Sequence, residues 1–208
     1  MPGKPERLMG EDTTAGKVME TVLLDTPYYN RSGGGLTLSG GECLAQPDFS
    51  EALLSLAHRA GINTCIETTG YADDSVLKRV IPLVDHVLLD IKHTDSEKHR
   101  AFTGKPNDVI LENAKRISAL TPDLTVRIPV VPGFNDTAEE IRAIAMFART
   151  LPRVSGIHLL PYHRLGQDKY TALGRDYTLS DILPPTKEKM EYLLGVAQES
   201  GFYCRIGG

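Results

Sequence analysis

A chain of 208 residues, 41% apolar and 24% charged, has the make-up of a globular protein with room for a core that needs no staples. Its net charge of −4, with no Lys/Arg run, argues against nucleic acid or an anionic membrane as partner. No apolar run nears the roughly 20 residues that cross a bilayer, and no signal peptide opens the chain, so the default location is the cytoplasm.

Helical and extended patterns alternate along the chain. Residues 36–39 read as a first strand, leading into Gly40, Gly41 and Glu42. A helix over 48–60 follows, with Phe49, Leu53, Leu56, Ala57 and Ala60 on one face, a capping box of Asp48 with Glu51, and Gly61 at its end. "INTCIET" (62–68) is the second strand, a short helix spans about Asp73 to Ile81, and "HVLLDIK" (86–92) is the third strand. A helix around 107–120 leads to the fourth strand, "LTVRIPVV" (124–131). Thr137 with Glu140 caps a helix carrying Ile141, Ile144, Ala145 and Ala148 on its core face. "GIHLLPYH" (156–163) is the fifth strand. After a long loop, a helix near 186–200 leads to a closing extended run, "GFYCRI". Repeated β-then-α units mean a parallel sheet covered by helices, with every strand's C-terminal end on one side. A doubly wound sheet is the competing topology, but no G-x-G-x-x-G or Walker motif follows a strand.

Cys43, Cys65 and Cys204 are far apart, with no CxxC pair, which argues against a disulfide framework or a self-contained metal site. Cys65 and Cys204 read as small core residues, and Cys43 as core or spacer at the mouth beside Glu42. The strand ends are unusually polar: "SGGE", "IETTG", "LLDIK", "RIPVVPG" and "LLPYH". Glu67, Asp90, Lys92, Arg127 and His163 are costly there unless paired or facing a ligand. Asp90 and Lys92, two apart, share one face, and such a pair taken alone is a salt bridge. Five polar strand ends together favour a site. "VVPGFND" is first a turn signal, with Pro132 and Gly133 shaping a loop beside it.

The segments "SGGGLTLSGGE", "IETTGY", "VLLDIKH", "RIPVVPGFND" and "IHLLPYHRLGQDKY", in this order and spacing, resemble the glycyl-radical-enzyme activating enzymes of the radical S-adenosylmethionine superfamily, such as the pyruvate formate-lyase activating type. The resemblance implies a partial (β/α) barrel that lacks its first strand. It implies that Gly40, Gly41 and Glu42 hold the α-amino group of S-adenosylmethionine. Glycine gives backbone access and the carboxylate pairs with the ammonium. Thr68, Asp90, Lys92, Arg127 and His163 match polar positions around the cofactor and the peptide to be activated. In the family, three cysteines spaced CxxxCxxC bind a [4Fe–4S] cluster. No such motif stands in this sequence, "MPGKPERLMGED" resembles the tail of a cluster-bearing insert, and Cys43 stands where the family commonly has proline. The resemblance therefore implies a remnant segment over 1–30, a partial barrel domain over 31–208, no catalytic residue and no metal ligand within the chain, and inactivity when alone. The parent enzyme would use S-adenosylmethionine and the cluster, take electrons from a donor such as flavodoxin, and place a radical on the glycine of a partner such as pyruvate formate-lyase.

Two rivals stand beside this reading. One is an aldolase-type barrel with a Schiff base on Lys92 and proton handling by Asp90. The other is a non-catalytic domain that docks on a glycyl radical enzyme. A sheet without its first strand would leave strand 36–39 with an unpaired edge, to be covered by residues 1–30 or by a second copy of the chain.

Overall fold

The β-then-α pattern becomes a single sheet in which strand order follows chain order. The structure, a computed structural model, describes residues 10–163, 179 and 181–208. Residues 1–9 and 164–170, which belong to two of the segments quoted above, lie outside the described residues. β1 (Gly35–Leu38), β2 (Asn63–Thr68), β3 (His86–Asp90), β4 (Leu124–Val130), β5 (Val154–Pro161) and β6 (Tyr203–Ile206) pair in that order, every pair parallel. Between them run α3 (Pro47–Arg59), α4 (Asp74–Val80), α5 (Ser96–Thr103), α6 (Asp108–Leu120), α7 (Ala138–Ala148) and α8 (Lys187–Gln198), while α1 (Ala15–Leu24) and α2 (Thr26–Ser32) precede the sheet. This is an α/β fold of the partial-barrel type. Right-handed crossovers between sequential parallel strands place their helices on one face.

The period-2 alternation of the strands divides the sheet's two faces. Ile66, Val87, Leu89, Val126, Ile128, Ile157 and Leu159 point to the helices and join Ile117, Ile141, Ile144 and Leu193 in the main core. The opposite face carries Cys65 and Glu67 from β2, His86, Leu88 and Asp90 from β3, Thr125 and Arg127 from β4, and His158 from β5. Parallel sheets ordinarily bury both faces. Here one is packed by helices and the other is polar.

Cys65 is half-exposed on the polar face, contrary to its reading as core. It alternates with the buried Thr64 and Ile66, so parity sends it away from the helices. Cys204 is buried among core residues, as its apolar surroundings suggest. Asp48 and Glu51 do not form the predicted capping box. Pro47 already occupies the first turn of α3, and both carboxylates turn instead to Arg79 on α4, with Asp48 Oδ1 2.6 Å from Nη2 and Glu51 Oε2 2.9 Å from Nε. The Thr137–Glu140 box is present: Thr137 Oγ1 accepts from the Glu140 N–H at 3.3 Å and donates to the Glu140 carboxylate at 2.5 Å. α1, α2 and α5 are additions to the sequence reading. α1 is capped by Thr14 and buries Met19 against Leu53, Ala57 and Ile62, with Leu36 and Leu38 packed beside them. It thereby covers the helix side of β1, and β1 keeps β2 as its one strand neighbour among the described residues.

Close pairing of β1 with β2 requires glycine at position 35, because a Cβ there would lie 2.0 Å from the Asn63 carbonyl oxygen. Gly35→Ala is expected to destabilise the fold by about 1–3 kcal/mol, the range for forced overpacking. Gly41→Ala, whose Cβ would enter open space, is expected to leave the urea midpoint within error of the parent.

Glu140 supplies a pH test of the α5–α7 contact. Burial opposes its charge, but the Lys98 ammonium at 2.8 Å and the Thr137 hydroxyl outweigh that and pull its pKa from 4.5 down to about 2. A depressed folded-state pKa gives stability that is present above the unfolded value of 4.5 and lost as pH falls through about 2. Glu140→Gln should therefore lower the urea midpoint at pH 6, and the gap to the parent should narrow steadily below pH 4.5.

Candidate functional site

The polar face carries a line of ion pairs across three neighbouring strands, with Glu67 and Asp90 at the C-terminal ends of β2 and β3 and Arg127, read from sequence as a strand-end residue, in the middle of β4. Arg127 on β4 is its centre, with a side chain only 11% exposed. Its Nη1 lies 2.8 Å from Glu67 Oε1 on β2, and its Nε donates to Asp90 Oδ1 on β3, also at 2.8 Å. The Ser39 hydroxyl, just beyond β1, donates to the other Glu67 oxygen at 2.7 Å. At the far end, Lys92 Nζ sits 3.5 Å from Asp90 Oδ2. Burial works against the charge on Glu67, but Ser39 and Arg127 outweigh it and hold the carboxyl below its usual range. Two carboxylates and two cations balance within the line.

Beside it stands the Gly40–Gly41–Glu42 turn. Gly40 has φ +125°, which L side chains rarely adopt, and a Cβ on either glycine would meet nothing within 4 Å. Backbone is thus exposed toward open space next to the Glu42 carboxylate. Four N–H and O–H donors fix that carboxylate, with the Cys43 thiol a fifth, weaker one at 3.8 Å from Oε1. Oε1 accepts from Thr68 Oγ1 at 2.6 Å and from the Leu44 N–H at 3.2 Å. Oε2 accepts from the Thr69 N–H at 2.9 Å and from Thr69 Oγ1 at 2.7 Å. Glu42 also caps the short 3-10 turn Cys43–Ala45. Cys43 lies against it, and burial followed by the Glu42 charge pushes its thiol up to about 12, so it is a neutral thiol at physiological pH.

The structure brings Glu42 and Thr68 together in one hydrogen-bonded group, and Asp90, Lys92 and Arg127 in another, joined to Glu67 and Ser39. His163 stands exposed two residues beyond β5. Thr69 and Ser39 are additions to the sequence reading. "IETTG" carries two threonines whose hydroxyls are free to choose partners, and only the fold shows that both choose Glu42. His158 lies in the same row as Asp90 and Arg127 and is buried, and burial, with Arg205, His86 and Arg127 around it, favours the neutral imidazole.

A carboxylate beside exposed backbone, a fixed ion line and a lysine at its end suit a small zwitterion: ammonium at the carboxylate, carboxylate at the cation. These donors fit an amino-acid-bearing cofactor. They do not fit an iron–sulfur cluster. Cys43, Cys65 and Cys204 occupy a turn beside β1, mid-β2 and β6, and no group of three His, Cys, Asp or Glu among the described residues could hold a metal ion.

The family model described as the Radical SAM superfamily matches residues 18–148. The isethionate sulfite-lyase activating enzyme of Oleidesulfovibrio alaskensis is 46% identical over 184 residues, covering 88% of this chain and 59% of that protein. The pyruvate formate-lyase 1-activating enzyme of Escherichia coli is 34% identical over 194 residues, covering 92% of this chain and 79% of that protein. Among solved structures, a domain of the pyruvate-formate lyase-activating enzyme from Bacteroides vulgatus superposes with a TM-score of 0.69 at 29% identity, covering 84% of this chain and 99% of that one. The chain thus spans less than two thirds of the length of the isethionate sulfite-lyase relative. From the matched family model and these relatives together, the chain belongs to the radical SAM superfamily and, within it, to the activating enzymes of glycyl radical enzymes.

Proposed function

We propose that this chain holds S-adenosylmethionine at the C-terminal ends of its strands and serves an activating enzyme that places a radical on the backbone glycine of a partner protein. The observation that carries the proposal is the Glu42 carboxylate, fixed by Thr68 and Thr69 beside the open Gly40–Gly41 backbone, with the Arg127-centred ion line next to it. When bound, S-adenosylmethionine would supply radical chemistry: one-electron reduction would break its sulfonium S–C5′ bond, release methionine, and leave a carbon-centred adenosyl radical able to take a hydrogen atom from the glycine and depart as 5′-deoxyadenosine. Everything else falls to the residues of the chain. Gly40 and Gly41 let the amino-acid end approach, and Glu42 accepts the ammonium. Lys92, Asp90 and Arg127 set the charges around the rest of the cofactor, and Thr68 keeps Glu42 in place. His163 flanks the same end of the sheet, toward the peptide. No step passes through a metal held by the described residues.

In this proposal residues 1–30 precede a barrel domain of residues 31–208, the electron originates in a donor such as flavodoxin, and the partner is a glycyl radical enzyme of the pyruvate formate-lyase type. The setting is cytoplasmic; no helix among the described residues is long and apolar enough to cross a membrane. A Schiff base on Lys92 is disfavoured by its surroundings, since a carboxylate 3.5 Å from Nζ is an ion-pair partner and not the apolar pocket such a lysine needs.

The test is cofactor binding. With one charge-assisted contact to the ammonium, S-adenosylmethionine should bind with a dissociation constant on the order of 0.1–1 mM. Glu42→Gln keeps the shape, loses the charge and, whichever way the amide turns, sets its N–H₂ against a main-chain N–H donor, of Leu44 or of Thr69. It should weaken binding about tenfold, or roughly 1.4 kcal/mol. Glu51→Gln, on the outer face of α3 where it meets Arg79, should bind as the parent does. NMR titration of the three proteins decides: equal binding by Glu42→Gln and the parent would remove the site.

A further inference from the structure

β3 leaves the sheet ladder with the Ile91 N–H, which donates to the Arg127 carbonyl at 2.9 Å. Beyond it, the carbonyls of Lys92 and His93 need donors from elsewhere. Two asparagines far along the chain provide them. Asn135, in the turn after β4, donates from Nδ2 to the Lys92 carbonyl at 2.7 Å and to the Pro129 carbonyl at 2.9 Å, and its Oδ1 accepts from the Val131 N–H at 2.8 Å. Asn107, at the start of α6, donates from Nδ2 to the His93 carbonyl at 2.5 Å. Both side chains are sealed from solvent, at 0% and 1% exposure. Loops ordinarily keep such groups at the surface, and burying an amide is unfavourable unless its hydrogen bonds are made. Asn135 makes them at both ends, whereas Asn107 makes them at Nδ2 and its Oδ1 has no hydrogen-bond partner among the described residues.

The segment they hold is the one that carries Lys92. Its main chain is fixed on the ladder side at Ile91, by Asn135 at residue 92 and by Asn107 at residue 93. His93 is itself buried, and its Nδ1 accepts from the Asp95 N–H at 2.9 Å. The backbone beneath the Lys92 ammonium is therefore as constrained as a strand, although no strand pairs with it. We infer that Asn135 and Asn107 are positioning residues that set Lys92 at the end of the Asp90–Arg127 ion line. The inference rests on the reading of Lys92 as a cofactor contact.

Asn113 provides an internal control. It is equally buried, at 1%, and also holds loop carbonyls, those of Gly70 and Ala72 at 2.8 Å each, but on the loop after β2. Binding of S-adenosylmethionine would be measured by NMR for Lys92→Met, Asn135→Ser, Asn107→Ser and Asn113→Ser, each asparagine variant also in the Lys92→Met background. Lys92→Met should weaken binding about tenfold. Asn135→Ser and Asn107→Ser should each weaken it about three- to fivefold in the parent and leave it unchanged in Lys92→Met, because residues acting through one group are not additive. Whatever Asn113→Ser does should be the same in both backgrounds. Amide exchange at Lys92 and His93 should speed up in the first two variants and not in Asn113→Ser. Should Asn135→Ser fail to fold, Asn135→Asp keeps the shape and the acceptor for Val131 while losing both donated bonds. Equal effects of Asn135 variants in both backgrounds, or none at all, would overturn the clamp. An unchanged affinity in Lys92→Met would instead sink the reading of Lys92 as a contact.

Discussion

One guanidinium organises the polar side of this sheet. Arg127 reaches two carboxylates on two other strands, Glu67 and Asp90, and is itself almost out of solvent. Bringing two carboxylates to the same face of a parallel sheet is unfavourable unless a cation answers both. Arginine can do so because its planar fork offers donors in fixed directions, where a lysine offers one point of charge. With Arg127 in place, Glu67 is free to take the Ser39 hydroxyl and Asp90 is free to meet Lys92. Removing one member leaves its neighbour unpaired, so the line acts as a unit and is not a set of separate salt bridges.

The sequence made the sheet legible because its alternation of β and α patterns needs nothing from the rest of the chain. Asp90 and Lys92 were readable as same-face residues, and Glu42 as a carboxylate after two glycines, from spacing alone. What spacing does not carry is choice of partner. Asp48 and Glu51 have capping-box spacing, yet Arg79 on the next helix offers them a cation, and Pro47 sets the helix start without them. Thr137 and Glu140 have the same spacing and do cap, because Lys98 adds to that arrangement and does not compete with it. Thr69, Ser39 and the buried asparagines escaped notice for a related reason. Each is a turn-forming residue type whose role depends on a distant partner, a carboxylate for Ser39 and Thr69 and a backbone carbonyl for the asparagines. α5 is hidden from a sequence reading because eight residues with Asp95 as cap and few apolar side chains resemble a polar loop. Cys65 was misjudged because an apolar run hides which of its residues face the helices.

The two groups at the strand ends are held by different means. Glu42 is held by two main-chain N–H groups and by two hydroxyls, and the hydroxyls can rotate when a better donor arrives. Lys92 is held through its main chain, by side-chain amides that are sealed from water. The first arrangement yields to a ligand and the second does not. A site built this way grips one end of a small molecule adaptably and presents a rigid reference at the other.

Strand order that follows chain order also bears on how the molecule is made. Each strand's neighbour is the one synthesised just before it, so the sheet can grow by adding one β/α unit at a time as the chain emerges from the ribosome. No early strand waits for a distant late one, which keeps loop closure short for a parallel sheet. The growing edge is exposed at every stage, and each new helix covers the apolar side of the strand laid down with it. The ion line is completed partway along this path, when Arg127 emerges after Glu67, Asp90 and Lys92 and before β5 and β6. Until β4 docks, Glu67 and Asp90 have only Lys92 to answer them, and Coulombic attraction then favours β4 in the register that puts Arg127 beside Asp90.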